Sequence, residues 1–138
     1  VLRRSEFNEP MDGIVYGVVV SLGFATYENY DYVFRLAETW DIAPSQLAIW
    51  RSFSAVPMHG LNGCIMGFYF GMYAFTAKKK YLFLSLMLPY LFHGVYNYIG
   101  NPLHLSIIGI MIVFTFILHQ KLKKLQKEKE KESEIIKI

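Results

Sequence analysis

Glu28, His59, His93 and Asn97 stand inside long apolar stretches of a 138-residue chain. An acidic or basic group at the centre of a membrane helix costs about 2.5–3.5 kcal/mol on insertion scales, so such residues are functional candidates by default. The chemistry open to this set is narrow. Two imidazoles and a carboxylate, here His59, His93 and Glu28, can bind a divalent metal such as zinc and leave a position for water. Without a metal they can act as a general base and its orienting partners, with the Asn97 amide donating to an oxyanion. Hydrolysis of a carbonyl compound fits either version. Asn29 points about 100° around a helix from Glu28 and is a supporting group. Arg51 is expected as an electrostatic support, and its pairing with Glu28 would by itself explain both charges. The chain has no H-E-x-x-H spacing, and neither a Ser–His pair nor Cys64 is placed to serve as a nucleophile.

Composition sets the class of scaffold that must position these groups. With 54% hydrophobic and 17% aromatic residues, the chain is too apolar for an ordinary soluble domain and reads as a membrane protein. Its single cysteine, Cys64, rules out an intrachain disulfide. The net charge of +3 comes from local clusters, with no aromatic-interleaved basic patch, which excludes nucleic acid as a partner. A bilayer core of about 30 Å needs roughly 20 residues of helix. Four segments qualify, at approximately 12–34, 47–75, 81–99 and 102–120. A closed barrel would need more strands than this length supplies, so the expected fold is all-α, a bundle of about four transmembrane helices. One membrane domain would cover residues 1–120 and a charged cytoplasmic tail residues 121–138.

Orientation follows from the basic residues. Arg3 and Arg4, then Lys78, Lys79 and Lys80, then Lys121, Lys123 and Lys124 all fall on one side of a four-span path, which makes that side and both termini cytoplasmic. The opposite connection carries Glu38 and Asp41 between Trp40 and Trp50, residues suited to an interfacial belt. Tyr27, Tyr30 and Tyr32 read as part of the same belt, and Asp12 as a helix cap. His104 and His119 join no constellation. The tail alternates Lys and Glu and is expected to be solvated or to lie on anionic headgroups.

Small residues show which faces pack. Gly13, Gly17, Ser21 and Ala25 recur every four residues, as do Gly63, Gly67 and Gly71, a pattern that lets two helix backbones approach closely. Glu28 continues the first stripe and His59 the second. At about 1.5 Å rise per residue from the cytoplasmic ends, Glu28, His59 and Asn97 lie about 24 Å deep and His93 about 18 Å. Four groups on three helices therefore converge towards the outer face. Pro57 and Pro89 are expected to break or kink the helices beside them, leaving irregular backbone around a cavity.

The stretches Phe7–Gly17, Gly23–Asn29, Arg51 with Pro57-Met58-His59, and His93-Gly94-Val95-Tyr96-Asn97 resemble, in order and spacing, consecutive motifs of the PrsW family of intramembrane proteases. The resemblance runs from Phe7 to about Asn97. It implies a polytopic protease, classed as a metallopeptidase and related to the CAAX-processing and bacteriocin-processing membrane proteases. It also implies a membrane-anchored protein substrate, such as a single-span anti-sigma factor cut near its extracytoplasmic side, and a prokaryotic plasma membrane. The family's Glu-Glu-x-x-Lys motif does not precede Phe7, and the first residue is Val1 rather than Met. The expectation is a piece of a longer protease. A non-cutting scaffold that holds a membrane partner is the alternative. A proton-relay transporter ranks third, because no internal repeat is visible.

Overall fold

The computed structural model describes residues 7–99 and 103–136. Arg3 and Arg4, which contribute to the orientation expected above, lie outside them, as do Pro102 at the start of the fourth expected span and the last two residues of the chain. Every regular element among the described residues is helical. The order is α1 (Pro10–Asp31), a π-helical turn (Tyr32–Leu36), α2 (Ala37–Thr39), α3 (Pro44–Phe53), α4 (Ala55–Thr76), α5 (Lys79–Ile99) and α6 (His104–Ile136).

Local sequence explains several of these boundaries. Asp12 sits in the first turn of α1 and its Oδ2 accepts the backbone N–H groups of Asn8 and Glu9, at 3.0 and 2.7 Å, as a cap should. Helix α4 ends at Ala77, which takes a left-handed conformation with φ of 57° and donates its N–H to the Tyr73 carbonyl. The expected span 47–75 is two helices. The break is at Ser54, with φ −117° and ψ −67°, and the Ser54 hydroxyl donates to the Trp50 carbonyl left open at the end of α3. Pro57 does not break a helix: it falls in the first turn of α4, where its missing N–H removes no helical bond. Pro89 lies inside α5, which continues through it. At 10 residues, α3 is about 15 Å long and too short to cross a bilayer.

Helix α4 is the centre of the bundle, touching α1, α3, α5 and α6. The seam between α1 and α4 is made by glycines. A Cβ on Gly63 would stand 2.6 Å from the Cα of Val18, and one on Gly67 would stand 2.6 Å from the Cα of Ile14, so the two backbones are in direct contact. On its other faces α4 buries Met58, Ile65 and Phe68 against Tyr96, Ile107, Ile108 and Met111 of α5 and α6. The outward surface is apolar: Val19, Val20, Leu86, Tyr90, Ile110 and Val113 are all more than half exposed. That distribution suits lipid rather than water.

By length and mean hydropathy, two helical segments are apolar enough to cross a membrane, Lys79–Ile99 and His104–Glu128. Helices α1 and α4, at 22 residues each, match them in length but are not among them. Their glycines and the polar residues Glu28, Asn29, His59 and Asn62 account for the difference. Helix α6 runs on past residue 120 to Ile136, so the charged segment is a continuation of the same helix.

Candidate active site

Glu28 on α1, His59 on α4 and His93 on α5 meet at the end of the glycine seam. The carboxylate is held from three sides. Arg51 Nη2 donates to Oε2 at 2.6 Å, His59 Nε2 lies 3.1 Å from the same oxygen, and His93 Nε2 is 3.5 Å from Oε1. Each placement has a local cause. The glycine contacts bring α1 onto α4, and Ser21 Oγ donates to the backbone carbonyl of His59 itself at 2.7 Å, fixing the register of the two helices at the residue that carries the imidazole. His59 is 1% exposed, so its ring has no other environment to choose.

Arg51 reaches the site because the break at Ser54 turns α3 back over the end of the bundle. Its guanidinium forks, Nη2 to Glu28 and Nε to Asn29 Oδ1 at 2.5 Å, and its Cζ lies 3.7 Å from the centroid of the Tyr32 ring. Tyr32 opens the π-helical turn that follows Glu28, and such widened turns are frequent at functional sites. At 7% exposure the Arg51 charge is compensated only by Glu28 among the described residues.

Phe24, one turn before Glu28, covers both imidazoles, with ring centroids 5.6 Å from His59 and 6.2 Å from His93. Asn97 stands one turn beyond His93, with its side-chain amide 3.2 Å from His93 Nδ1. It thus meets the cluster through the back of an imidazole, and its grip on Nδ1 leaves Nε2 as the nitrogen that faces Glu28.

The arrangement fits a metal ion. The ligand atoms of Glu28, His59 and His93 all lie within 4.8 Å of one another. Two ligands about 2.0–2.1 Å from a tetrahedral zinc are about 3.3 Å apart; His93 Nε2 is 3.5 Å from Glu28 Oε1, the oxygen that Arg51 leaves open, while the 3.1 Å contact of His59 Nε2 is to Oε2. His93 Nε2 is buried and has no hydrogen-bond partner among the described residues, which leaves its lone pair or proton for something the protein atoms do not supply. A metal-binding Nε2 requires the ring proton on Nδ1, and the Asn97 amide oxygen would accept it there and orient the ring.

The structure brings Glu28, His59 and His93 together, and Arg51 bonds both Glu28 and Asn29. Phe24, Tyr32 and Ser21 also belong to the site. Tyr32 suits an interfacial belt by type, yet its ring carries Arg51. Ser21 is small enough for the glycine stripe, and its hydroxyl is also a donor that finds a carbonyl across the seam.

A carboxylate and two imidazoles that could hold a metal ion are brought together by three helices, in an all-helical bundle with an apolar outer surface, which points to the class of membrane proteins. Comparison with known proteins narrows that class. A family model described as PrsW family intramembrane metalloprotease matches residues 1–119, and the chain belongs to that family. It is 36% identical over 132 residues to a Protease PrsW of Clostridioides difficile, covering 92% of this chain and 54% of that protein. To Protease PrsW of Geobacillus kaustophilus it is 45% identical over 101 residues, covering 72% of the chain and 42% of the relative. To that of Bacillus subtilis it is 39% identical over 130 residues, covering 92% and 56%. The chain therefore spans about half the length of the curated relatives it matches. No solved structure matches it.

Proposed function

We propose that this chain supplies the water-activating centre of an intramembrane metalloprotease that cuts a membrane-anchored protein near the extracytoplasmic side. The observation that carries the reading is the meeting of Glu28, His59 and His93, from three helices, around one point. His59 and His93, through Nε2, and Glu28 would hold a divalent metal, zinc by its donor chemistry. Such an ion, when bound, makes water nucleophilic at neutral pH and polarises a carbonyl.

The chain's own residues do the rest. Arg51 holds Glu28 by Oε2 and leaves Oε1 for the metal or for a proton taken from water. Asn29 and Tyr32 keep Arg51 in place. Asn97 fixes the His93 ring, and its amide N–H would be the donor that steadies an oxyanion. Phe24 shields both imidazoles from lipid.

In this reading α1, α4, α5 and α6 are the four spans. Lys78–Lys80, Lys121, Lys123 and Lys124 lie at one end of these helices and the cluster lies towards the other, which supports cytoplasmic termini and an outward-facing site in a prokaryotic plasma membrane. Residues 1–120 form the protease domain and residues 121–138 a cytoplasmic tail. The substrate is a single-span protein of the anti-sigma-factor kind.

A non-cutting scaffold is the second reading, favoured by the 2.6 Å contact that already satisfies Glu28 with Arg51. The test is cleavage of single-span anti-sigma factors in liposomes by the protein as its natural gene encodes it, with Glu28→Gln, His59→Ala and His93→Ala alongside. The protease reading expects turnover that all three variants abolish. Turnover retained in Glu28→Gln and His59→Ala, or an intact partner captured without any cleavage, would contradict it.

A further inference from the structure

Helices α1 and α5 both pack on α4 and leave between them a furrow of about 310 Å³ on the outer surface of the bundle. Val20 of α1 and Leu86 of α5, both more than half exposed, form its rims, and the buried Gly17 and half-buried Met66 line it between them. No charged residue lines it among the described residues. The Ser85 hydroxyl in its wall donates to the Leu82 carbonyl at 2.7 Å and asks nothing of an occupant. Such a lining accepts an apolar partner and penalises a polar one.

The furrow points at the Glu28 cluster. Glu28 follows Gly17 by eleven residues, His93 follows Leu86 by seven, and His59 precedes Met66 by seven. At about 100° per residue, each of these spacings falls within about 20° of a whole number of turns. The three helix faces that form the furrow are therefore the faces that carry the cluster, two to three turns further out. Phe24, one turn beyond Val20, reaches across to His93 of α5, with ring centroids 6.2 Å apart, and marks where furrow and cluster meet.

We propose that the furrow seats the membrane-spanning helix of the substrate and delivers its outer end to the cluster. The proposal rests on the protease reading, which supplies a membrane-anchored substrate. A gap between two helices over a third is the shape that a further helix fills, and glycine in the lining lets that helix come close to the backbone. A lipid chain, another segment of the natural protein or a second copy would compete for the same space, but none of them accounts for a furrow that ends at a water-activating cluster. The path from Leu86 to His93 is about 10 Å, which is seven residues of helix or about three of extended chain. The substrate residue beside Leu86 thus lies about three to seven positions to the cytoplasmic side of the cut bond.

The test uses the protein as its natural gene encodes it, carrying Glu28→Gln so that substrate is held uncut, in liposomes with a single-span anti-sigma factor. The photo-crosslinker p-benzoyl-phenylalanine replaces Val20, Leu86 or, as a control on the exposed face of α6, Val113, and adducts are mapped by mass spectrometry. Val20 and Leu86 are expected to capture the substrate's span about tenfold more than Val113, in the stretch just given. Leu86→Trp, which fills the furrow, is expected to lower kcat/KM about tenfold while the Co²⁺ absorption of the cluster is unchanged. Equal capture at the three positions overturns the proposal. So do adducts at Val20 and Leu86 with only lipid, another segment of the protein or a second copy, and so does an unchanged kcat/KM in Leu86→Trp. Selective capture of a span that the protein with Glu28 intact never cuts overturns the protease reading alone.

Discussion

The two halves of the α1–α4 seam are built on the same four-residue spacing and do opposite things. In one half Gly13, Gly17, Gly63 and Gly67 remove side chains so completely that backbone meets backbone. In the other half the stripe ends in Ser21, Glu28 and His59, which fill the seam with polar groups. Close backbone packing needs no hydrophobic effect, which hydrocarbon does not provide, and it leaves little freedom for sliding. The glycine half therefore acts as a rigid mount, and the polar half can hold a carboxylate and an imidazole at a fixed separation. Stability and chemistry are separated along one helix pair.

The largest effect should come from breaking the mount. Gly67→Val puts a branched side chain where even a Cβ is 2.6 Å from the Ile14 Cα, so the helices must part. We expect a loss of about 3 kcal/mol or more, seen as aggregation or a collapsed Tm in detergent. His59→Ala should do the reverse, abolishing turnover while the protein stays monodisperse, since Ser21 bonds the His59 backbone and not its ring. A His59→Ala protein that fails to fold would show that the two halves are not separable. Arg51→Lys removes the fork that holds Glu28 and Asn29 together and should lower kcat/KM about 10–100-fold with little change in Tm. The smallest effect belongs to a turn remote from both halves. Ala77→Gly relieves the left-handed conformation that ends α4 and should raise stability by about 0.5–1 kcal/mol, with turnover unchanged.

Much of this was legible from residue types and spacing. The helical class, the glycine seam and the convergence of Glu28, His59 and His93 towards one end of the bundle follow from periodicity and rise alone. What the sequence hid was the path of the chain between α1 and α4. A 29-residue apolar stretch at 47–75 reads as one helix because hydropathy does not register a single φ/ψ change at Ser54. Pro57 drew attention to the wrong residue, since a proline in a helix's first turn marks a beginning as readily as a break. That error concealed why Arg51 can face back into the bundle and how Trp50 and His104, far apart in sequence, come to line one cavity. Depth places Asn97 level with Glu28, and the side-chain geometry adds that its amide lies against the far nitrogen of His93.

The central claim is that Glu28, His59 and His93 form one metal site, and its most direct test is a Co²⁺ titration of the purified natural protein, read by visible absorption. The account expects a single saturable site with a nitrogen-ligated spectrum, lost in Glu28→Gln, His59→Ala and His93→Ala. An unchanged spectrum in any one of the three variants would contradict it.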